Sequence, residues 1–82
     1  MLKLINITKN ENIIEADYIP EKSNKSAHIK LNISTDDFNV ENLEEYGSMY
    51  SRMALSGLRR TVDELNSGKI NKIPKERLVM WY

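Results

Sequence analysis

Three arginines give the strongest chemical signal in this 82-residue sequence. Arg52, Arg59 and Arg60 fall on the polar side of a predicted helix, and all four arginines of the chain lie in its second half. A guanidinium group is planar and offers paired N–H donors, which suit a carboxylate or a phosphate. The alternative is a solvated helix face, because Asp63 and Glu64 follow at helical spacings and can pair with the arginines. The residues predict either an anion-binding surface or an ordinary charged face.

Two tyrosines are the aromatic residues most available for a contact surface beside those arginines. Aromatic rings next to cationic side chains form stacking platforms in proteins that bind single-stranded nucleic acid. Tyr18, Tyr50 and Trp81 fall at apolar spacings and are expected in the core instead. The candidate partner-binding residues are therefore Arg52, Arg59, Arg60, Tyr46 and Tyr82.

The charges are divided unevenly along the chain although the formal net charge is zero. Residues 1–51 carry five basic and nine acidic side chains, a net of −4. Residues 52–82 carry seven basic and three acidic side chains, a net of +4. Overall neutrality excludes a uniformly basic nucleic-acid binder, but the division is compatible with a polarised interaction module.

The residues that most enzymes use for covalent or metal chemistry are nearly absent. The chain has one histidine, His28, and no cysteine. Without cysteine there is no disulfide framework, CxxC redox pair, zinc ribbon or iron–sulfur site. No nucleophile stands in a motif beside His28, which is expected on the polar side of a strand in an exposed or capping role. The sequence predicts a protein that is not an enzyme and binds no metal or cofactor.

One acidic stretch has the first oxygen ligands of a calcium loop but not its two most important positions. Counting from Asp37, ligands would come from Asp37, Asn39 and Glu41. The sixth position is then Asn42 instead of glycine, and the twelfth is Ser48 instead of glutamate. We interpret the stretch as a solvated acidic loop.

The elements that must position these residues follow from two changes of hydrophobic period. The first half alternates with the period of two that is typical of short strands, and turn residues separate the runs. The second half has apolar residues three and four apart, as on one face of an amphipathic helix. The last five residues are apolar on both faces, which favours a central strand. The predicted elements are strands at 2–7, 13–19, 28–34 and 38–42, a helix at 49–66 and a strand at 78–82.

This order, ββββαβ, predicts a single small α+β domain over residues 1–82. One amphipathic helix is expected to pack on one face of a mainly antiparallel sheet. Ser48 is the expected N-cap and Gly68 the residue that ends the helix in the left-handed conformation. Gly57 lies in mid-helix near the edge of the apolar face, where a close approach of the helix to the sheet favours glycine. The alternatives for Gly57 are a hinge or the floor of a groove.

The sequence is typical of a soluble cytoplasmic protein. Its N-terminal apolar stretch is shorter than the core of a signal peptide, and no apolar run reaches the roughly 20 residues that span a bilayer. We therefore expect no membrane partner.

Three segments carry a resemblance to known proteins. They are EADYIPE at Glu15–Glu21, HIKLNI at His28–Ile33 and IPKERLVMWY at Ile73–Tyr82. In this order around a helix they resemble a group of short cytosolic proteins of Gram-positive bacteria to which no activity is assigned. The resemblance implies a small bacterial cytoplasmic protein and transfers no functional residue.

Two functional hypotheses follow from the residues. The first is a small non-enzymatic protein-binding module that contacts a protein partner or self-associates as a homodimer, because opposite charged patches can meet in a symmetric pair. The second is a small nucleic-acid-binding domain that uses the basic face of the helix at residues 49–66. The zero net charge disfavours nucleic acid.

Overall fold

A five-stranded antiparallel sheet with one helix across one face makes up the part of the chain that the structure describes. The structure is a computed structural model, and it describes residues 2–20, 26–41 and 47–80. The predicted α+β class and the order ββββαβ are confirmed. The elements are β1 Leu2–Asn10, β2 Ile13–Pro20, β3 Ala27–Asn32, β4 Phe38–Glu41, α1 Gly47–Asn66 and β5 Arg77–Val79.

The strands lie in the order β4-β3-β2-β1-β5. The first four strands form a meander in which each strand pairs antiparallel with the next. The helix then returns across the sheet, and β5 pairs antiparallel with the outer side of β1. The prediction of a central final strand is therefore wrong: β5 is an edge strand. Leu78 on this strand and Met80 directly after it are 58% and 54% exposed instead of packed.

A bulge in β1 changes which of its side chains face the helix. The pairing register shifts between Ile5 and Thr8, and Asn6 has a φ of 54°, in the left-handed region. Because one extra residue is inserted there, Ile7 is buried on the same side as Leu4, whereas Ile5 is only half-buried. The period of two in the sequence would place Ile5 and Ile7 on one face, and the bulge makes that expectation wrong.

The core lies between the sheet and α1 and is built by the alternation that the sequence predicts. Each of the middle strands places every second side chain under the helix, as for Ile14 on β2 and Ile29 on β3, both fully buried. Tyr18 is 2% exposed, as expected, and Tyr50 packs against the core from α1. From the helix, Ala54, Leu55, Leu58 and Val62 complete the core.

The helix begins two residues before the predicted start and ends where predicted. Ser48 lies inside α1 and not at its N-cap position. At the other end Gly68 has a φ of 79°, and its N–H donates to the carbonyl of Leu65 at 3.3 Å. Glycine suits this left-handed position because it has no Cβ to clash with the backbone.

Gly57 is the point of closest approach between α1 and the sheet. A Cβ at this position would lie 2.6 Å from Cγ2 of Val79 and 2.9 Å from Cδ1 of Leu4. Both distances are shorter than side chains tolerate, so the absence of a side chain lets the helix settle onto β1 and β5. The interpretation of Gly57 as a close-packing residue is confirmed.

Gly57→Ala is expected to destabilise the fold despite the better helix propensity of alanine. The gain in propensity is about 1 kcal/mol, whereas overpacking costs about 1–3 kcal/mol. We expect a net loss of about 1 kcal/mol in the free energy of unfolding, measured by urea denaturation. In a Val79→Ala background the closest methyl group is gone and only Cδ1 of Leu4, the end of a flexible side chain, has to move, so the same substitution should cost clearly less. Stabilisation in the otherwise unchanged chain would contradict close packing at this point.

Candidate functional site

All three predicted arginines line one surface groove between α1 and β4, which we call the arginine groove. It has a volume of about 660 Å³. The side chains of the groove include one exposed aromatic ring and one nearly buried leucine in addition to the three cations. Its lining residues are Phe38, Arg52, Leu55, Ser56, Arg59, Arg60 and Asp63.

The helical repeat explains why the arginines meet. Arg52, Ser56, Arg59 and Asp63 follow one another at spacings of three and four, so their side chains lie along one face of α1. All four are exposed, whereas Leu55, at 6% exposure, belongs to the core. The groove therefore has polar walls beside an apolar floor.

Phe38 is the residue of the groove that sequence reasoning did not select. It pairs in register with Leu31, whose side chain is buried under the helix, so Phe38 is also on the helix side of the sheet. Because β4 is an edge strand, nothing in the described part of the chain covers the ring, which is 48% exposed. Its position at the edge depends on the strand order, which local periodicity does not encode.

Arg59 is held by an acidic residue from the turn between β3 and β4. Its Nε donates to Oδ1 of Asp36 at 3.1 Å and its Nη2 to Oδ2 at 2.7 Å. Asp36 has a φ of 63°, in the left-handed region, and its N–H donates to the carbonyl of Asn32 at 2.8 Å. This bidentate pair shows that the groove can hold a carboxylate, although an exposed pair of this kind adds little stability.

The other two arginines of the groove form no direct ion pair within the described part of the chain. Arg52 and Arg60 are exposed, and neither has an ion-pair or hydrogen-bond partner among residues 2–20, 26–41 and 47–80. Of the pairs expected along the helix, none is a direct ion pair within these ranges, although the charge of Arg60 acts on Glu64. Two guanidinium groups remain available to an anionic ligand.

Glu64 is instead part of a polar network that attaches β5 to α1. Nη1 of Arg77 donates to Oε1 of Glu64 and to Oγ1 of Thr61, both at 2.8 Å. The hydroxyl of Thr61, which is fully buried, donates in turn to the carbonyl of Gly57 at 2.8 Å. The hydrogen bond from Arg77 lowers the pKa of Glu64, and the charges of Arg77, Lys69 and Arg60 act in the same direction. The fourth arginine of the chain therefore has a structural role.

The two predicted tyrosines, Tyr46 and Tyr82, lie outside the described residues, as does Trp81. The aromatic contribution to the groove that the structure describes is thus Phe38 alone.

His28 lies on the opposite, helix-free face of the sheet, between two carboxylates of β2. Its Nδ1 is 2.8 Å from Oδ1 of Asp17 and its Nε2 is 2.9 Å from Oε1 of Glu15. Both nitrogens can donate only when the imidazole is protonated. The hydrogen bond with Asp17 raises the pKa of His28, with a further contribution from Glu15 that burial opposes. The polar side of the strand is confirmed, but the exposed or capping role is wrong.

The same cluster lowers the pKa of Asp17. Its Oδ2 accepts a hydrogen bond from Nδ2 of Asn6 at 3.0 Å, which is the largest cause, and His28 is the second. Histidine and two carboxylates are types that ligate metals, but here the imidazole stands between the carboxylates and the three do not converge. Within the described ranges no cluster of His, Asp and Glu is arranged to hold a metal ion.

Comparisons leave the function of the arginine groove to be argued from its own geometry. No family model, curated protein or solved structure matches the chain. The resemblance to short cytosolic proteins of Gram-positive bacteria and the cytoplasmic location stay predictions. Among the described residues, no helix has a stretch of apolar side chains long enough to cross a membrane.

Proposed function

We propose that this chain is a non-enzymatic protein-binding module whose arginine groove binds an acidic segment of a partner protein. One observation carries the proposal: Arg52 and Arg60 are exposed beside the exposed ring of Phe38, and neither forms a direct ion pair with another described residue. Cationic and apolar groups in one concave surface fit a peptide that carries both carboxylates and an apolar side chain.

Charge complementarity favours a carboxylate-bearing partner. The pair between Arg59 and Asp36 demonstrates the geometry that an incoming aspartate or glutamate would adopt on a neighbouring guanidinium. Arginine forms such planar, two-bond contacts better than lysine does, and arginine and aromatic residues are enriched at protein interfaces. An apolar side chain of the partner would lie against Phe38 and displace water from it.

The acidic residues of the groove disfavour a longer polyanion. Asp63 lies in the lining and Asp36 occupies Arg59, so negative charge is already present beside the free cations. A nucleic-acid strand, with one phosphate on every nucleotide, would meet both carboxylates, whereas a peptide with one or two acidic residues would not. The nucleic-acid hypothesis is kept as an alternative outcome of the experiment below.

The non-enzymatic part of the proposal is supported by the position of the sole histidine. Both ring nitrogens of His28 are occupied by Asp17 and Glu15, on the face of the sheet away from the groove. The groove itself combines guanidinium groups with one serine hydroxyl and one aspartate. This set lacks the oriented base that activates a serine nucleophile.

Binding is expected to be weak and dependent on salt. Exposed guanidinium–carboxylate pairs contribute about 0.2–1 kcal/mol each and are screened by ions. The apolar contact with Phe38 would add to two such pairs. We therefore expect dissociation constants in the micromolar range or above, which weaken further as the salt concentration rises.

A charge-reversal experiment with a matched control tests the proposal. The probe is a fluorescein-labelled decapeptide with two glutamates that flank one central leucine, and binding is followed by fluorescence anisotropy at low salt. In the Arg52→Glu/Arg60→Glu double variant we expect at least a tenfold loss of affinity, about 1.4 kcal/mol. Lys69→Glu/Lys72→Glu, at two exposed lysines after the end of α1, makes the same change of net charge and should leave the affinity within about twofold.

Two results would contradict the proposal. Equal losses in both double variants would mean that overall charge, and not the groove, attracts the peptide. Tighter binding of a single-stranded oligonucleotide than of the peptide, lost in Arg52→Glu/Arg60→Glu, would instead support the nucleic-acid alternative.

A further inference from the structure

We propose that the outer edge of β5 pairs with β5 of a second copy of this chain, joining two sheets edge to edge. This interface is separate from the arginine groove and does not depend on the function proposed for it.

The outer side of β5 has unused backbone hydrogen-bonding groups. The strand pairs with β1 through Leu2↔Val79, Lys3↔Leu78 and Leu4↔Arg77. Within the described residues no strand pairs with its other side. An edge of this kind is a template for pairing with another strand unless charge, proline or a cover blocks it.

Exposed apolar side chains mark the same edge. Leu78 is 58% exposed, and Met80, directly after the strand, is 54% exposed. With Phe38 on the opposite edge, these are the large apolar residues that the described part of the chain leaves exposed. Leu78 pairs in register with exposed Lys3, so it lies on the helix-free face of the sheet, where a neighbouring strand could cover it.

The strand is fixed before any partner arrives. Val79 lies close against Gly57 on the helix side, and Arg77 is anchored by its hydrogen bonds to Thr61 and Glu64. Because β5 is already ordered, pairing with it costs less conformational entropy than pairing with a mobile segment.

Charge and symmetry identify the occupant as a second copy. In an antiparallel pair with a two-fold axis at Leu78, each Leu78 faces its own copy and each Arg77 faces Val79 of the partner. No like charges are opposed in this register, and two chains of zero net charge do not repel each other at long range. A two-fold pair also closes on itself and does not continue into a fibre.

The edge at β4 is less suited to self-pairing. Glu41 is exposed on that strand, and Asp36 and Asp37 precede it directly. Two copies of this edge would bring acidic residues together, which is destabilising. Pairing through β5 leaves β4 and the arginine groove at the far end of each subunit, so a dimer would present two grooves.

The short length of β5 sets the expected strength. Stable interfaces bury roughly 1,200–2,000 Å² in total, and a strand of three residues supplies only part of this. We therefore expect a dimer that forms and dissociates with protein concentration.

Light scattering with paired edge variants tests this interface. The wild-type mass should rise from 9.5 kDa towards twice that value as the concentration increases. Leu78→Lys places a charge on the β5 edge and should hold the chain as a monomer, whereas Phe38→Lys on the β4 edge should leave the concentration dependence unchanged. A wild-type mass that stays at 9.5 kDa at every concentration, or equal effects of the two variants, would overturn the proposal.

A cysteine cross-link supplies a second measurement that leaves the strand pairing intact. The chain has no cysteine, so Leu78→Cys introduces a single thiol. Opposed residues of an antiparallel pair lie about 4.5–5.5 Å apart at Cα, within the 4.4–6.8 Å range of disulfides. Leu78→Cys should oxidise to a covalent dimer at least tenfold faster than Phe38→Cys. Equal rates would overturn the proposal, and neither result bears on peptide binding at the groove.

Discussion

Val79→Asp is expected to abolish the cooperative thermal transition, whereas Leu78→Asp leaves it in place. The two residues are neighbours on one short strand and receive the same side chain, but they lie on opposite faces of the sheet. Val79 pairs with Leu2, which is 1% exposed, and its Cγ2 approaches the backbone of Gly57. Leu78 is 58% exposed, so an aspartate there stays in water.

The expected loss is large because the partly buried Val79 packs against the core, so a carboxylate there would face Leu4 and Gly57 instead of water. An unpaired carboxylate in an apolar contact costs several kcal/mol. A domain of this length has a free energy of unfolding of roughly 4–12 kcal/mol, and a small domain has few other contacts with which to compensate. Deleting Val79–Tyr82 removes the same contact and should have the same effect.

Melting followed by circular dichroism distinguishes the outcomes. We expect a sigmoidal transition for Leu78→Asp and a gradual, non-cooperative loss of signal for Val79→Asp and for the deletion. A sharp transition in the Val79→Asp chain would mean that β5 is not part of the cooperative core. Leu78→Asp also adds charge to the proposed dimer edge. All of these melting experiments are therefore done at a protein concentration low enough to keep the chain monomeric.

Local sequence patterns were sufficient to identify the strands and the helix, but not to predict which of them lie next to each other. The alternation of Ile14, Ala16 and Tyr18 identified β2 and its buried face, and the spacing of three and four identified α1. Gly57 stood out because glycine is costly inside a helix. Each of these signals is contained in a few consecutive residues.

The errors concern features that depend on distant parts of the chain. β5 lies at the edge of the sheet because the chain, after α1, pairs with the outer side of β1. The five consecutive apolar residues were therefore not evidence of a central strand. Arg59 bonds Asp36, 23 residues away, and Arg77 bonds Glu64, 13 residues away. Periodicity indicates only contacts three or four residues apart, and it therefore could not indicate these two direct pairs.

These contacts also change the meaning of the charge division along the chain. The pair between Asp36 and Arg59 joins the acidic first part to the basic second part, so some of the opposite charge is used within the molecule. At the groove itself, the cations without a direct ion pair among the described residues are the guanidinium groups of Arg52 and Arg60. On the helix-free face, His28 forms a charged cluster with Asp17 and Glu15 that no motif in the sequence indicated.

The stability of the fold is expected to decrease as the pH rises above 6.5, because the cluster at His28 loses its proton. The raised pKa of His28 means that the folded state binds this proton more tightly than the unfolded state does. The contribution is complete below the unfolded pKa of about 6.5 and disappears as the pH passes the folded pKa. Deprotonation then leaves Asp17 and Glu15 on one face without the cation between them, and Glu41 opposite His28 on β4 adds a third negative charge.

Asp17 gives the opposite slope at acidic pH. Its pKa is lowered by the hydrogen bonds from Asn6 and His28, so its contribution is present above the unfolded pKa of about 3.8 and is lost as the pH falls through the folded pKa. The two groups together predict greatest stability between about pH 4 and 6.5. Burial raises the pKa of Tyr18, so this tyrosine stays neutral when measurements stop at pH 9.

The test is the melting temperature of the wild-type chain and of His28→Gln between pH 6 and pH 9. We expect the wild type to melt roughly 5 °C lower at pH 9, which corresponds to about 1 kcal/mol for a domain of this size. His28→Gln keeps a polar side chain of similar length but does not titrate, so its melting temperature should be lower at pH 6 and nearly constant up to pH 9. Lys30→Gln, on the same strand and the same face of the sheet, should retain the wild-type slope. Two results would contradict this prediction: a wild-type melting temperature that stays constant, or a slope that persists in His28→Gln. Either result would show that the imidazole between Asp17 and Glu15 does not carry the proton. A neutral ring can donate to only one of these two carboxylates.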